Sequence, residues 1–189
     1  MQQAESKNDI NSLLLQNGLI GGVFGIMLIF ILYIVDASLV HNSLFNLAAP
    51  NVLAIAFMLL TLNAYRKAHH NYIDYRTGLK GAFGTAALVL LLFILGWALL
   101  HQVVDTDLQK KFIDKLVLNS YKNLKAQGLS ELEIQDRLLL IRLSKPFSFR
   151  SLSLMYMAYL IINFVFSIIA ALTFHSIFKE NKPAEATAN

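Results

Sequence analysis

Four stretches without Asp, Glu, Lys or Arg, lying between residues 10–35, 37–65, 81–104 and 151–178, constrain this 189-residue chain more than any other feature. Each is close to the roughly 20 apolar residues that a helix needs to cross a hydrocarbon core about 30 Å thick. Lipid offers a backbone no hydrogen-bond partners, and a helix satisfies its own polar groups within one segment. The chain therefore reads as all-α, an integral membrane four-helix bundle of two transmembrane hairpins. Only 15% of its residues are charged, against about 25% in an ordinary soluble domain.

The expected organisation is a single four-span membrane domain over residues 1–182, with spans at about 18–40, 44–65, 78–104 and 150–178. Residues 10–16 read as a lead-in turn of helix at the interface. The first run is longer than a signal-peptide core and is preceded by Glu5 and Asp9, so it reads as an uncleaved span. The connection from Asp36 to Asn46 is brief, which makes spans one and two an antiparallel hairpin. Pro50 falls in the first turns of span two, where a missing amide is tolerated. Trp97 is expected as an interfacial anchor near the end of span three. Residues 183–189 are expected to form a disordered tail.

Residues 105–150 are the one substantial water-facing segment, expected to be an extramembrane helical pair between spans three and four. Asp105, Thr106 or Asp107 would cap a helix over about 106–126 whose Leu108, Phe112, Ile113, Leu116, Val117 and Leu124 share one half of a helical wheel. Lys110, Lys111, Lys115, Lys122 and Lys125 take the other half, the pattern of an amphipathic helix. Gly128 supplies a left-handed end. Ser130 and Glu133 then read as a capping box opening a second helix over about 131–144, ended by Pro146. The apolar residues of that helix fall in two sectors, so it needs two partners. Leu138 and Ile141 are the candidate docking residues.

Several kinds of chemistry find no support. With no cysteine there is no thiolate nucleophile and no thiolate metal site. The net charge of +4 is spread over the connections, which favours a membrane surface over nucleic acid as partner. Adjacent His69 and His70 point about 100° apart on a helix and have no i, i+4 ligand, so no metal site is expected. His41, His101 and His175 lie near span ends, with Asp36 and Asp105 as conceivable orienters, but no nucleophile motif accompanies them. No catalytic residue and no cofactor is assigned.

What remains are packing and surface candidates. Gly18, Gly21, Gly22 and Gly25 give span one overlapping GxxxG spacings, and Gly78, Gly81 and Gly84 give span three a small face. Such faces serve either packing of spans one and three or a homodimer seam. Asn163 and Ser167 are the most central polar pair and should hydrogen-bond another span. Arg66, Lys67, Arg76 and Lys80 are placed to meet anionic lipid headgroups. The first connection lacks Lys and Arg while the second has four, which favours cytoplasmic termini and a periplasmic segment 105–150. Against this, that segment holds nine basic residues, more than the seven summed over the opposite side.

Three stretches, Asn17-Gly18-Leu19-Ile20-Gly21-Gly22, Tyr75-Arg76-Thr77-Gly78-Leu79-Lys80-Gly81-Ala82-Phe83-Gly84 and Gln127-Gly128-Leu129-Ser130 before Pro146, carry a likeness in their order and spacing. Over roughly residues 14–180 the chain resembles a bacterial family of four-span membrane proteins, domain of unknown function 4199. The resemblance implies two membrane hairpins, the second carrying an extramembrane helical pair, and it brings no catalytic residues. The expectation is a multi-pass protein of the bacterial inner membrane that is not an enzyme. It would assemble, as a homo-oligomer or with another membrane protein, through the helical pair. The alternative is an oligomeric transporter or channel for a neutral solute, lined by Asn163, Ser167, Thr85 and Asn63. A membrane-embedded enzyme comes third.

Overall fold

A computed structural model describes residues 9–40 and 43–177; the expected 183–189 tail and His41 lie outside this range. The described residues are helical, without strands. The six main helices are α1 (Ile10–Val35), α2 (Ser43–Ala68), α3 (Tyr75–Leu99), α4 (Leu108–Ala126), α5 (Glu131–Leu143) and α6 (Phe149–Ile177). Four segments, Ile10–Val35, Phe45–Ala68, Tyr75–Val104 and Phe149–Ser176, are long and apolar enough to cross a membrane. The sequence suggests one domain; contacts divide the chain into two compact units, Met1–Gly96 with Met155–Asn189, and Trp97–Leu154.

The helix ends depart from expectation for local reasons. Residues 10–16, expected as a lead-in, belong to α1, because Ile10 packs against Gly81 and is buried. At 26 residues, α1 is about 39 Å long and outreaches the hydrocarbon. It stops at Asp36, which is extended at φ −161°, and residues 37–40 form a separate turn instead of continuing the span. Helix α3 starts earlier than expected because Asp74 Oδ2 accepts the amides of Arg76 (3.0 Å) and Thr77 (3.4 Å). The tight link before it needs left-handed backbone at His70 (φ 49°) and Asn71 (φ 60°). Beyond Leu99 the helix widens into a π turn, Leu100–Val104, closed by the Asp105 amide on the Leu100 carbonyl.

In the membrane unit, α1 and α3 run parallel along a reciprocal seam. Ile10 and Leu14 of α1 lie on Gly81 and Gly84 of α3; Gly18 and Gly22 of α1 receive Leu88 and Leu92; then Ile26 lies on Gly96. The small residues change helix along the seam, so neither backbone is held off the other. Gly21 takes Phe57 of α2 and Gly25 takes Phe93 of α3, while Gly78 packs on Ile73 and Ala171. The glycine faces expected on spans one and three are thus filled within the chain.

Helices α2 and α6 also run parallel. Along them, Asn46 pairs with Tyr159, Asn51 with Asn163 and Met58 with Ser167. Between α3 and α6, Tyr156 Oη donates to the Ala87 carbonyl (3.2 Å), and Phe83 meets Phe164 edge-on.

The second unit has its own small core of Leu108, Ile134, Leu138, Phe147 and Leu152. Helix α4 ends in a Schellman arrangement. The Leu129 amide reaches the Leu124 carbonyl, the Gly128 amide reaches that of Lys125, and Gly128 sits at φ +76° as expected. The capping box opens α5: Ser130 Oγ accepts the Glu133 amide, and Glu133 Oε2 accepts from the Ser130 amide at 3.0 Å.

Candidate functional site

Among the polar groups in the membrane unit, those expected to line a pathway separate into three local clusters. Asn163 is fully buried; its Nδ2 donates to Asn51 Oδ1 (2.6 Å) and to the Tyr159 carbonyl (3.0 Å), while its Oδ1 has no hydrogen-bond partner. Ser167 donates to the Asn163 carbonyl and contacts Met58 Sδ. Thr85 belongs elsewhere: it shares a 2.9 Å hydrogen bond with Thr61, which also accepts from Asn17 Nδ2, tying α1, α2 and α3 together. Asn63 accepts from Arg66 Nη2 at 2.9 Å.

Pro50 is inside α2, two turns from its start, in the first turns of the span as expected. It has no amide to give the Asn46 carbonyl four residues earlier. Tyr159 Oη supplies the missing donor at 2.5 Å. The proline was evident in the sequence, but its rescuer lies 113 positions from Asn46 and nothing local announces it.

The basic connection keeps its side chains at the surface: Lys67, Arg76 and Lys80 are exposed, and Arg66 is half-buried. His69 stacks on Tyr65 at 4.0 Å, with Nδ1 3.0 Å from the Tyr65 carbonyl. His175 Nδ1 lies 3.1 Å from the Ile73 carbonyl. Among the described residues no three His, Asp or Glu side chains gather at metal-binding spacing.

In the second unit Trp97 is 2% exposed and does not serve as the expected lipid-facing anchor. It lies parallel to His101 (5.0 Å) and Phe147 (5.6 Å), and His101 stacks on Phe147 at 3.6 Å. Gln102 Nε2 donates to the Phe147 carbonyl, holding the chain before α6 beside the π turn. Of the three possible caps for α4, Asp105 is used: its Oδ1 accepts the amides of Asp107 and Leu108. Asp105 also pairs with Lys111 at 3.7 Å.

Helix α5 carries the most exposed apolar surface outside the spans. Leu138, expected on a docking face, is instead 3% exposed, and Ile141 is half-buried; with Ile134 they form the buried line of the helix. The outward residues are Leu132 (76% exposed), Leu139 (54%), Leu140 (71%) and Leu143 (68%). At 100° per residue, Leu132, Leu139 and Leu143 fall within about 40° of one another, opposite the buried line. The two-sector pattern was legible, but which sector faced in was not, since both are leucine-rich. Asp136 lies on the outward stripe, and Gln135, Asp136, Leu139 and Arg142 line a shallow groove of about 210 Å³.

No curated protein and no solved structure matches the chain. A family model described as "Protein of unknown function (DUF4199)" matches residues 16–176, which takes in most of the first span, the other spans and the extramembrane pair. The chain belongs to that family.

Proposed function

We propose that this four-span protein is a non-enzymatic assembly component of a bacterial inner membrane, docking through the outward face of α5. The observation that carries this reading is the exposure of Leu132, Leu139, Leu140 and Leu143 on a helix whose opposite face is already packed. A monomeric surface seldom keeps a contiguous apolar stripe of this kind without a partner for it. The absence of Lys and Arg from residues 37–65 and their abundance from 66 to 80 support cytoplasmic termini, with 105–150 periplasmic. On that reading Lys67, Arg76 and Lys80, with Arg66, meet anionic headgroups, each basic side chain contributing about 1 kcal/mol near the surface.

The test is co-purification from native membranes of wild type and of a Leu139→Glu, Leu143→Glu variant. The variant is expected to insert normally and lose its complex; an undiminished complex rejects docking through this face. A second reading, a pathway for a neutral solute, is favoured by one observation, the unpartnered Asn163 Oδ1 buried between α2 and α6. Solute flux into reconstituted vesicles that is unchanged by Asn163→Leu would count against it.

A further inference from the structure

Between the start of α4 and the end of α5 the second unit holds a polar recess of about 310 Å³, lined by Thr106, Gln109, Lys110, Ile113, Asp114 and Arg142. Positions 109, 110, 113 and 114 share one face of the first turns of α4, with Thr106 just before them. Arg142 comes from the last turn of α5. Lys110, Asp114 and Arg142 are exposed, and none of them takes part in a hydrogen bond or ion pair within the described chain. Lys110 and Asp114 are one helical turn apart, but the base precedes the acid, the less favourable order for such a pair. Charges of both signs thus share one concave surface without neutralising each other.

We propose that this recess binds a phosphate ester carrying a primary ammonium group, with Lys110 and Arg142 on the phosphate oxygens and Asp114 on the ammonium. Lysine and arginine only donate hydrogen bonds, and an ionised carboxylate only accepts them. The two cations therefore call for an acceptor with several oxygens, which a phosphate supplies, and the acid calls for a group with N–H donors. Thr106 and Gln109 can serve either part, and Ile113 gives the carbon link an apolar floor. The recess is at the small end of ligand sites, with room for a headgroup and not for a folded partner. Thr106 closely follows Val104, where the third apolar segment ends, and Arg142 shortly precedes Phe149, where the fourth begins. A headgroup at the bilayer surface is thus within reach. The same chemistry has two sources, an ethanolamine phospholipid and free phosphoethanolamine. The proposal does not depend on what the outward leucines of α5 contact.

The test titrates the full chain, in a non-ionic detergent, with short-chain phosphatidylethanolamine, with phosphatidylcholine of the same chains and with free phosphoethanolamine, and reads bound ligand by native mass spectrometry. Phosphatidylethanolamine is expected to bind more tightly than phosphatidylcholine, whose quaternary ammonium has no N–H for Asp114. Lys110→Ala and Arg142→Ala should each weaken binding about tenfold, the loss of a charge-assisted hydrogen bond. Asp114→Asn should abolish the preference for ethanolamine over choline while leaving phosphatidylcholine binding as it was. That selective loss is not what a misfolded variant would give. Lys122→Ala, an equal loss of charge at an exposed position of α4 outside the recess, should change nothing. Tighter binding of the lipid than of phosphoethanolamine supports the proposal with the bilayer as source, and equal binding supports it with a soluble molecule as source. Equal affinity of the wild type for the two phospholipids, or an equal loss with Lys122→Ala, overturns it.

Discussion

Tyr159 donates its hydroxyl to the main-chain carbonyl of Asn46, the acceptor that Pro50 leaves without its helical amide. The two helices α2 and α6 are therefore joined by a bond that exists because one of them is interrupted. Tyr159→Phe would leave that half-buried carbonyl unserved, at a cost of about 1–2 kcal/mol. In a Pro50→Ala background the residue at position 50 recovers an amide and serves Asn46 itself. The Tyr159→Phe penalty should then largely vanish, and a double-mutant cycle read by denaturant titration in mixed micelles measures the coupling. Equal penalties in both backgrounds would contradict this account.

The glycine seam gives a second prediction. An added Cβ at Gly22 would run into the Leu92 side chain, and at Gly18 it would stand 2.8 Å from Leu88 Cδ2. Gly22→Ala therefore overpacks a contact between two helix backbones and should destabilise by about 1–3 kcal/mol. Leu92→Ala makes room at the same place. The double variant should lose less than the sum of the two single losses, as followed by helicity on titration with a denaturing detergent. Strict additivity would mean that the two positions do not share the contact.

How much of this was readable beforehand depends on the range of the interaction. The spans, the capping box at Ser130 and Glu133, the left-handed Gly128 and the amphipathic α4 follow from spacings of one to four residues, and the structure has them. Features that depend on distant partners were not readable. The burial of Trp97 requires Phe147 fifty positions on, and the separation of Thr85 from Asn163 requires knowing that Thr61 stands opposite Thr85. Leu138 illustrates a third case. The helical period places it in one of two leucine sectors, but which sector faces in depends on the packing of the whole unit, and the sequence pattern is nearly symmetric on that point.

Acid should loosen the start of α5. Hydrogen bonds from the Ser130 hydroxyl and amide hold the Glu133 carboxyl below its usual 4.5. A carboxyl whose folded value is depressed stabilises the fold above the unfolded value and loses that contribution as pH falls through the folded one. Amide-exchange protection in the first turn of α5 should thus decline as the solution is taken from near neutrality to below 4.5. Ser130→Ala removes the hydrogen bonds to the hydroxyl, so in that variant protection should be lower at neutral pH and less sensitive to acid. A pH response unchanged by Ser130→Ala would assign the effect to another group.

Asn163 uses both amide protons, one on Asn51 Oδ1 and one on the Tyr159 carbonyl. The second bond lies within α6, so only the first couples the two helices. Bonds of this kind between spans are worth about 1 kcal/mol, because the separated helices also find partners in the membrane. Asn163→Leu should therefore cost no more than about 1–2 kcal/mol on unfolding, despite complete burial of the amide. Asn51→Leu should cost less, since Asn51 is only half-buried and its Nδ2 bond to Leu47 is local. With Asn51 already replaced, Asn163→Leu loses the interhelical part of its penalty and also disposes of the unpartnered Oδ1. The second substitution should then be close to neutral. A full penalty persisting in the Asn51→Leu background would show that Asn163 holds α6 to something other than Asn51.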